Sequence, residues 1–322
     1  MRVPNDTFKY SIGAIAAIVP LMIVALVIFL TYNAWPALSF NGFHFLFQND
    51  WNIGSQYGTP VMINGHEVLP GANFGIFFLL FGTIVSSVIA LALAVPIGLG
   101  AAVFLSEAVP PSLRQPASML VEMLASVPSV VFGLWGTVVL IPFMAHHVYP
   151  TMAEVLDFIP FFAGPTRSGY GLMSASIVLM LMIVPLITAN MREAIALTPK
   201  ELRESGLALG ATRFEVMRKI VLPRLRLPLI GVSTLALGRA LGETMAVLMV
   251  SGNALGYITD NVYGPVSTMA SFIVSQLDSA LQDPSGMAVN SLIEIGLVLL
   301  ILSLIVNGAA RLLMPSRTAG TG

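Results

Sequence analysis

The sequence predicts an all-α polytopic membrane protein with six transmembrane helices. Three observations carry that prediction. Hydrophobic residues make up 56% of the 322-residue chain and charged residues 10%, where a soluble domain carries about 25% charge; mean hydropathy is +0.87. Six segments reach the roughly 20 apolar residues that a ~30 Å hydrocarbon core requires: 12–31, 74–105, 118–145, 171–191, 228–250 and 289–313. The basic residues are sorted between alternate connections, as the positive-inside rule demands. The same composition excludes a disordered chain. Fifteen Lys and Arg against sixteen Asp and Glu leave no basic surface for nucleic acid. The lack of cysteine excludes disulfides, thiolate metal sites and Cys nucleophiles.

The first span reads as a retained helix: its apolar stretch is longer than a signal-peptide core and no small-x-small cleavage site follows. Span two has 32 residues, about 48 Å of helix at ~1.5 Å per residue, so it is expected to tilt, to bend near Pro96 or to leave the membrane at its ends. Span three is less regular, with Pro128 and the stretch Gly133-Leu134-Trp135-Gly136; neighbouring helices must satisfy any backbone these residues free.

Lys and Arg orient the bundle. Arg2, Lys9, Arg114, Arg192, Lys200, Arg203, Arg213, Arg218, Lys219, Arg224, Arg226, Arg311 and Arg317 fall on one side, Arg167 on the other, and Arg239 inside span five. Both termini and the 192–226 loop are therefore expected in the cytoplasm. The outer connections are acidic, with Asp50, Glu67, Glu154, Asp157, Asp260, Asp278 and Asp283.

The cytoplasmic loop has its own chemistry. Thr198-Pro199-Lys200-Glu201 has capping-box spacing with Pro at the first helical position. That helix should end near Gly210, which suits a left-handed cap. Thr212-Arg213-Phe214-Glu215 repeats the box, and the second helix should end at Pro223. On it Phe214, Met217, Ile220 and Val221 share a face, with Arg213, Glu215, Arg218 and Lys219 around the rest. Periodicity leaves two readings open: a helix lying on the inner leaflet, or one docked apolar face first into a partner's groove.

Glu204-Ser205-Gly206, three residues, Gly210, nine residues and Ile220-Val221-Leu222-Pro223 resemble the EAA loop of ABC importer permeases, with Ser205 and Gly206 replacing two alanines. The resemblance implies docking: a coupling helix seated in a cleft of an ATPase subunit, with Glu204, Ser205, Gly206, Gly210, Phe214, Met217, Ile220 and Pro223 in the contact.

Arg239 is at the midpoint of span five. A central Arg costs roughly 2.5–3.5 kcal/mol on insertion scales, so it must face protein or water. Glu243, four residues on, is placed for an intrahelical ion pair. The pair either locks the bundle or turns Arg239 toward an anion, whose oxygens a guanidinium fork matches. Gly238, Gly242 and Ala246 form a small-residue stripe about 100° away.

The stretch Leu237-Gly238-Arg239-Ala240-Leu241-Gly242-Glu243-Thr244-Met245-Ala246-Val247, with residues 122–133 and Val306-Asn307, resembles the PstC-type permease of bacterial phosphate ABC importers. Little of that resemblance falls in the first 70 residues. It implies a type I importer permease fold in the bacterial inner membrane. It also implies a heterodimer with a PstA-type permease, two ATPase subunits and a periplasmic phosphate-binding protein. Arg239 and Glu243 then serve phosphate passage, and no cofactor is implied. The expected organisation is an N-terminal transmembrane helix and periplasmic segment at 1–73, a permease transport core at 74–314 containing the coupling loop 192–226, and a tail at 315–322.

No GxxxxGK[ST] loop occurs, so ATP hydrolysis is expected in a partner and the chain is a transport subunit, not an enzyme. An intramembrane enzyme acting on lipid phosphates would need an Asp or His cluster that the sequence does not offer. Charge alone does not separate phosphate from another oxyanion such as sulfate or molybdate. Glu122 reads as interfacial, and Glu294, six residues into span six, as a pairing or gating residue. His44, His66, His146 and His147 lack metal-ligand spacing. The role of 32–73 stays open.

Overall fold

The computed structural model describes residues 5–55, 58–166 and 168–313; Arg2, Arg167, Arg317 and the 315–322 tail lie outside them. The helices are α1 (Asn5–Asn41), α2 (Phe77–Ala108), α3 (Pro111–Ala125), α4 (Ser129–Val155), α5 (Leu172–Ala196), α6 (Lys200–Ala208), α7 (Arg213–Arg224), α8 (Arg226–Leu241), α9 (Met245–Val250), α10 (Met269–Leu281) and α11 (Met287–Leu313). Five are long and apolar enough to cross a membrane, and the α7–α8 pair, bent by 63°, is a sixth candidate. α7 carries Arg213, Glu215, Arg218, Lys219 and Arg224, too many charges for hydrocarbon. The sixth crossing therefore starts at the bend and continues through α8 and α9.

The chain forms two compact units. The first holds Met1–Ile76 and Gln276–Leu300. In it, α1 exposes Ile15, Leu21, Met22 and Phe29, and buries Ala34 and Ala37 near its end. Two small antiparallel pairs follow, β1 (Trp51–Asn52) with β4 (Asn73–Phe74) and β2 (Val61–Ile63) with β3 (His66–Val68). Asn64 and Gly65, both at positive φ, make the β2–β3 turn, the Asn-Gly signature of a two-residue hairpin. Asp283 is buried and accepts the amides of Ser285 and Ala288, each at 2.9 Å. It caps the start of α11 and does not contribute surface charge. Glu294 is also buried, and its Oε2 accepts the Asn41 amide at 2.9 Å. That is the pairing role.

The second unit holds Phe77–Ser275 and Ile301–Gly322. α5 is the most buried of its spans and packs most extensively on α2. Ala90, Ala94, Gly98 and Ala102 are a small-residue stripe on α2 at i, i+4 spacing, and Gly98 sits under Ile187, where a Cβ would lie 2.8 Å from Cγ2. Thr188 donates to the Gly98 carbonyl at 3.3 Å. The helix runs through Pro96 and ends at Ala108. At the far end of α2, Thr83 accepts the Met269 amide at 2.9 Å and Gly82 leaves no room for a Cβ beside Ser267 O. α10 is thereby docked on α2, a helix within a connection that hydropathy reads as an outer loop.

Three sequence expectations are corrected. The third span is 129–155, not 118–145: Ser126 and Val127 are non-helical and Pro128, extended at ψ 139°, starts α4, because the residue before a proline is pushed out of the helical region. Residues 111–125 form the separate amphipathic α3, anchored by Glu122 to Arg192 on α5 at 2.9 Å. The fifth span is not continuous over 228–250, since α8 stops at Leu241 and α9 starts at Met245. The box at Thr198 does not form: Pro199 is the N-cap, and the Thr198 hydroxyl turns back to Ala194 O.

Candidate functional site

The broken fifth span sets the first site. Arg239 is thirteen residues along from Arg226, about 20 Å of helix, and two residues before α8 ends. It is exposed, with no hydrogen-bond or ion-pair partner among the described residues. The intrahelical Arg239–Glu243 pair is corrected. The helix ends between the two residues, so they do not share a face, and Glu243 Oε1 instead takes the Ala246 amide at 3.4 Å in the first turn of α9. The break also removes Ala246 from the stripe, and a Cβ at Gly238 or Gly242 would meet nothing closer than 3.8 Å. The close approach is made elsewhere. Gly133 and Gly136 of α4 seat against α9, with a Cβ at Gly133 falling 3.0 Å from Ala246 Cα and one at Gly136 2.8 Å from Val250 Cγ1. α9 is thus held by α4, and at the end of α8 Ala240 and Leu241 are buried while Arg239 and Gly242 are exposed beside the break. Non-helical backbone at membrane depth is tolerated where protein or a water-filled cavity meets it, and a cation at a helix C-terminus is favoured by the dipole. The geometry can present a fixed positive charge to an anion.

The coupling loop forms the second site. Gly210 has φ +83° between α6 and α7. Thr212 and Glu215 make the full capping box: Thr212 Oγ1 accepts the Glu215 amide at 3.3 Å and Glu215 Oε2 accepts the Thr212 amide at 3.0 Å. α7 ends at Arg224, one residue past Pro223. A Cβ at Gly206 would fall 2.6 Å from Ile220 Cδ1 and 2.9 Å from Val216 Cγ2, so glycine here sets how closely α6 approaches α7. That approach turns the buried stripe of α7 toward Val216, Met217 and Val221. The expected outward face of Phe214, Met217, Ile220 and Val221 is corrected accordingly: Met217 is 6% exposed, Val221 is fully buried and Ile220 is half-buried, while Phe214 is 70% exposed. The free apolar surface is Phe214 with Leu207 and Leu209, the last 89% exposed. Sequence reasoning missed both leucines, although two of them beside a loop glycine were the available signal. Glu204, Ser205 and Pro223 are exposed around them; the Ser205 hydroxyl donates to Glu201 O at 2.6 Å. Arg203 ties α6 down, donating to Glu107 Oε1 at 2.6 Å and to Ile195 O at 2.9 Å.

Glu215 is held at a pKa of about 2, first by the Thr212 amide and then by Lys219 at 3.2 Å. A carboxylate lowered on folding stabilises above its unfolded pKa, near 4.5, and loses that contribution as pH falls to about 2. Amide exchange at Glu215, corrected for its intrinsic rate, is expected to lose protection across that window in the wild type. E215Q should show no such titration.

Residues 94–318 match the family of binding-protein-dependent transport system inner membrane components. Phosphate transport system permease protein PstC 1 of Mycobacterium tuberculosis is 40% identical over 304 residues, covering 93% of this chain and 90% of its own. This chain belongs to the family, as a PstC-type permease. The PstC protein of Pasteurella multocida is 36% identical over 310 residues, 95% of this permease and 90% of its own length. Among solved structures, a bacterial ABC transporter involved in the import of the acidic polysaccharide alginate aligns with 95% of this permease and 97% of its own chain, at 15% identity and a TM-score of 0.58. That likeness shows the type I importer fold. The permease is an inner membrane component of a binding-protein-dependent transport system.

Proposed function

We propose that this permease forms half of the translocation pathway of an ATP-driven importer of inorganic phosphate. The other half is a homologous PstA-type permease. Two ATPase subunits drive the cycle through the 192–226 loop, and a periplasmic phosphate-binding protein delivers the substrate. Both termini lie in the cytoplasm, and the chain has no ATPase site of its own. The relatives' names support phosphate as the substrate. The observation that carries the reading is Arg239, a guanidinium without a hydrogen-bond or ion-pair partner among the described residues, beside a helix break in the middle of an apolar span. A phosphate mono- or dianion does not cross hydrocarbon unaided, and a planar fork of donors matches its oxygens. Glu243, in the same break, keeps the empty pathway near neutral. The exposed acidic outer residues, Asp50, Glu67, Glu154, Asp157, Asp260 and Asp278, repel free phosphate, which favours delivery by a binding protein.

The test is uptake by the reconstituted complex. Phosphate should accumulate only with ATP and with both permeases present, and sulfate should not accumulate at a comparable rate. Equal sulfate transport would remove the phosphate assignment, and transport by this chain alone would remove the heterodimer.

A further inference from the structure

The α7–α8 bend lines an open cleft of about 600 Å³ that shares Pro223 with the coupling loop. Leu197 and Pro199, at the end of α5, form one wall; Leu227 and Pro228, at the start of α8, form the other. Arg224, the last residue of α7, and Arg226, the first of α8, both line it. Leu225 between them is buried and pins the bend from beneath.

Three basic neighbours are paired, and Arg213 and Arg218, which have no partner among the described residues, do not line the cleft. Arg192 is matched by Glu122, Arg203 by Glu107 and Lys219 by Glu215. Arg224 and Arg226 have no hydrogen-bond or ion-pair partner among the described residues. Two arginines without a partner thus line one cleft that has leucine and proline walls, where a charged cytoplasmic helix becomes an apolar membrane helix. Each offers a planar set of donors suited to phosphate oxygens, and the cytoplasmic leaflet presents phosphate groups at this level.

We infer that this cleft is a binding site for a phosphate group, held between Arg224 and Arg226. An occupant bridges the arm that carries the coupling helix and the arm that carries Arg239, and so stiffens the angle between them. The site lies about 20 Å along α8 from Arg239 and does not depend on the substrate assigned to the pathway. A phospholipid headgroup and inorganic phosphate offer the same oxyanion; the lipid adds glycerol and acyl carbons for the leucine and proline walls.

The experiment uses the assembled complex in an Arg239→Gln background, which removes the pathway guanidinium as a competing phosphate ligand. Native mass spectrometry reads phospholipid retained from equimolar phosphatidylglycerol and phosphatidylcholine, and equilibrium binding of labelled phosphate is measured on the lipid-free complex. The parent is expected to retain phosphatidylglycerol at least fivefold over phosphatidylcholine, and R224Q/R226Q to lose that preference. One phosphate bound per chain, abolished by R224Q/R226Q, instead supports the same site with free phosphate as the occupant. R213Q/R218Q removes equal charge from the same loop outside the cleft and should change neither readout. If R224Q/R226Q does not assemble, R224K/R226K keeps the charge without the planar fork and should lower the preference severalfold. A complex with neither binding activity overturns the inference. So does unchanged binding in the cleft variants, or an equal loss in R213Q/R218Q.

Discussion

Arg239→Gln should abolish phosphate uptake in a complex that still assembles. Arg239 makes no hydrogen bond or ion pair among the described residues that glutamine would break, and a cation near a helix C-terminus contributes roughly 0.3–1 kcal/mol, too little to unfold a helix that α4 and α5 hold through α9. Leaving a desolvated anion without its cation costs about 3–5 kcal/mol. At 1.4 kcal/mol per decade, transport should fall by roughly two to four orders of magnitude. Arg239→Lys keeps the charge and loses the fork, so an intermediate rate is expected. Glu243→Gln keeps an oxygen for the Ala246 amide, which is all that the fold asks of it. The measurements are ATP-dependent phosphate uptake and subunit stoichiometry of each variant. Normal uptake by assembled Arg239→Gln would show that this guanidinium does not serve the anion.

Much of this architecture is legible because lipid is a simple solvent. α2, α5 and α11 coincide with runs of apolar residues to within a few positions, since length and hydropathy decide them. Hydropathy fails where a short break lies inside an apolar run. The 118–145 stretch merges α3 and α4, and Pro128 marks the break. Gly242-Glu243-Thr244 interrupts the fifth span, and Gly and Thr are poor helix formers whose effect an averaging window hides. Local chemistry is read well when it closes on itself: Thr212 and Glu215 satisfy each other within four residues. At Thr198 the same pattern fails because Pro199 already occupies the cap and the hydroxyl has a carbonyl behind it. The apolar face of α7 depends on a contact far outside its own periodicity, since Gly206 on α6 draws Val216 and Ile220 inward and leaves Phe214 at the edge.

That rotation separates the docking surface from the folded core, and three substitutions should divide accordingly. Phe214 is 70% exposed and Leu209 89%, and surface changes away from special features usually alter stability by less than about 0.5 kcal/mol. Phe214→Asp and Leu209→Asp should therefore leave the melting temperature of the isolated permease nearly unchanged. At a docked interface, loss of a central aromatic anchor costs about 2 kcal/mol or more, and a buried carboxylate adds to it. ATPase affinity should fall at least roughly thirtyfold, and transport with it. Met217→Ala should do the reverse. Met217 is 6% exposed against its own chain, and Met→Ala in a core costs about 2–5 kcal/mol. The permease should melt earlier, while folded molecules keep their affinity for the ATPase. Thermal unfolding and ATPase binding, measured on the same preparations, distinguish the two. Phe214→Asp that binds ATPase as tightly as the wild type would remove the exposed Leu207, Leu209 and Phe214 surface from the docking interface. Met217→Ala that melts normally but loses the ATPase would return the contact to the face predicted from periodicity alone.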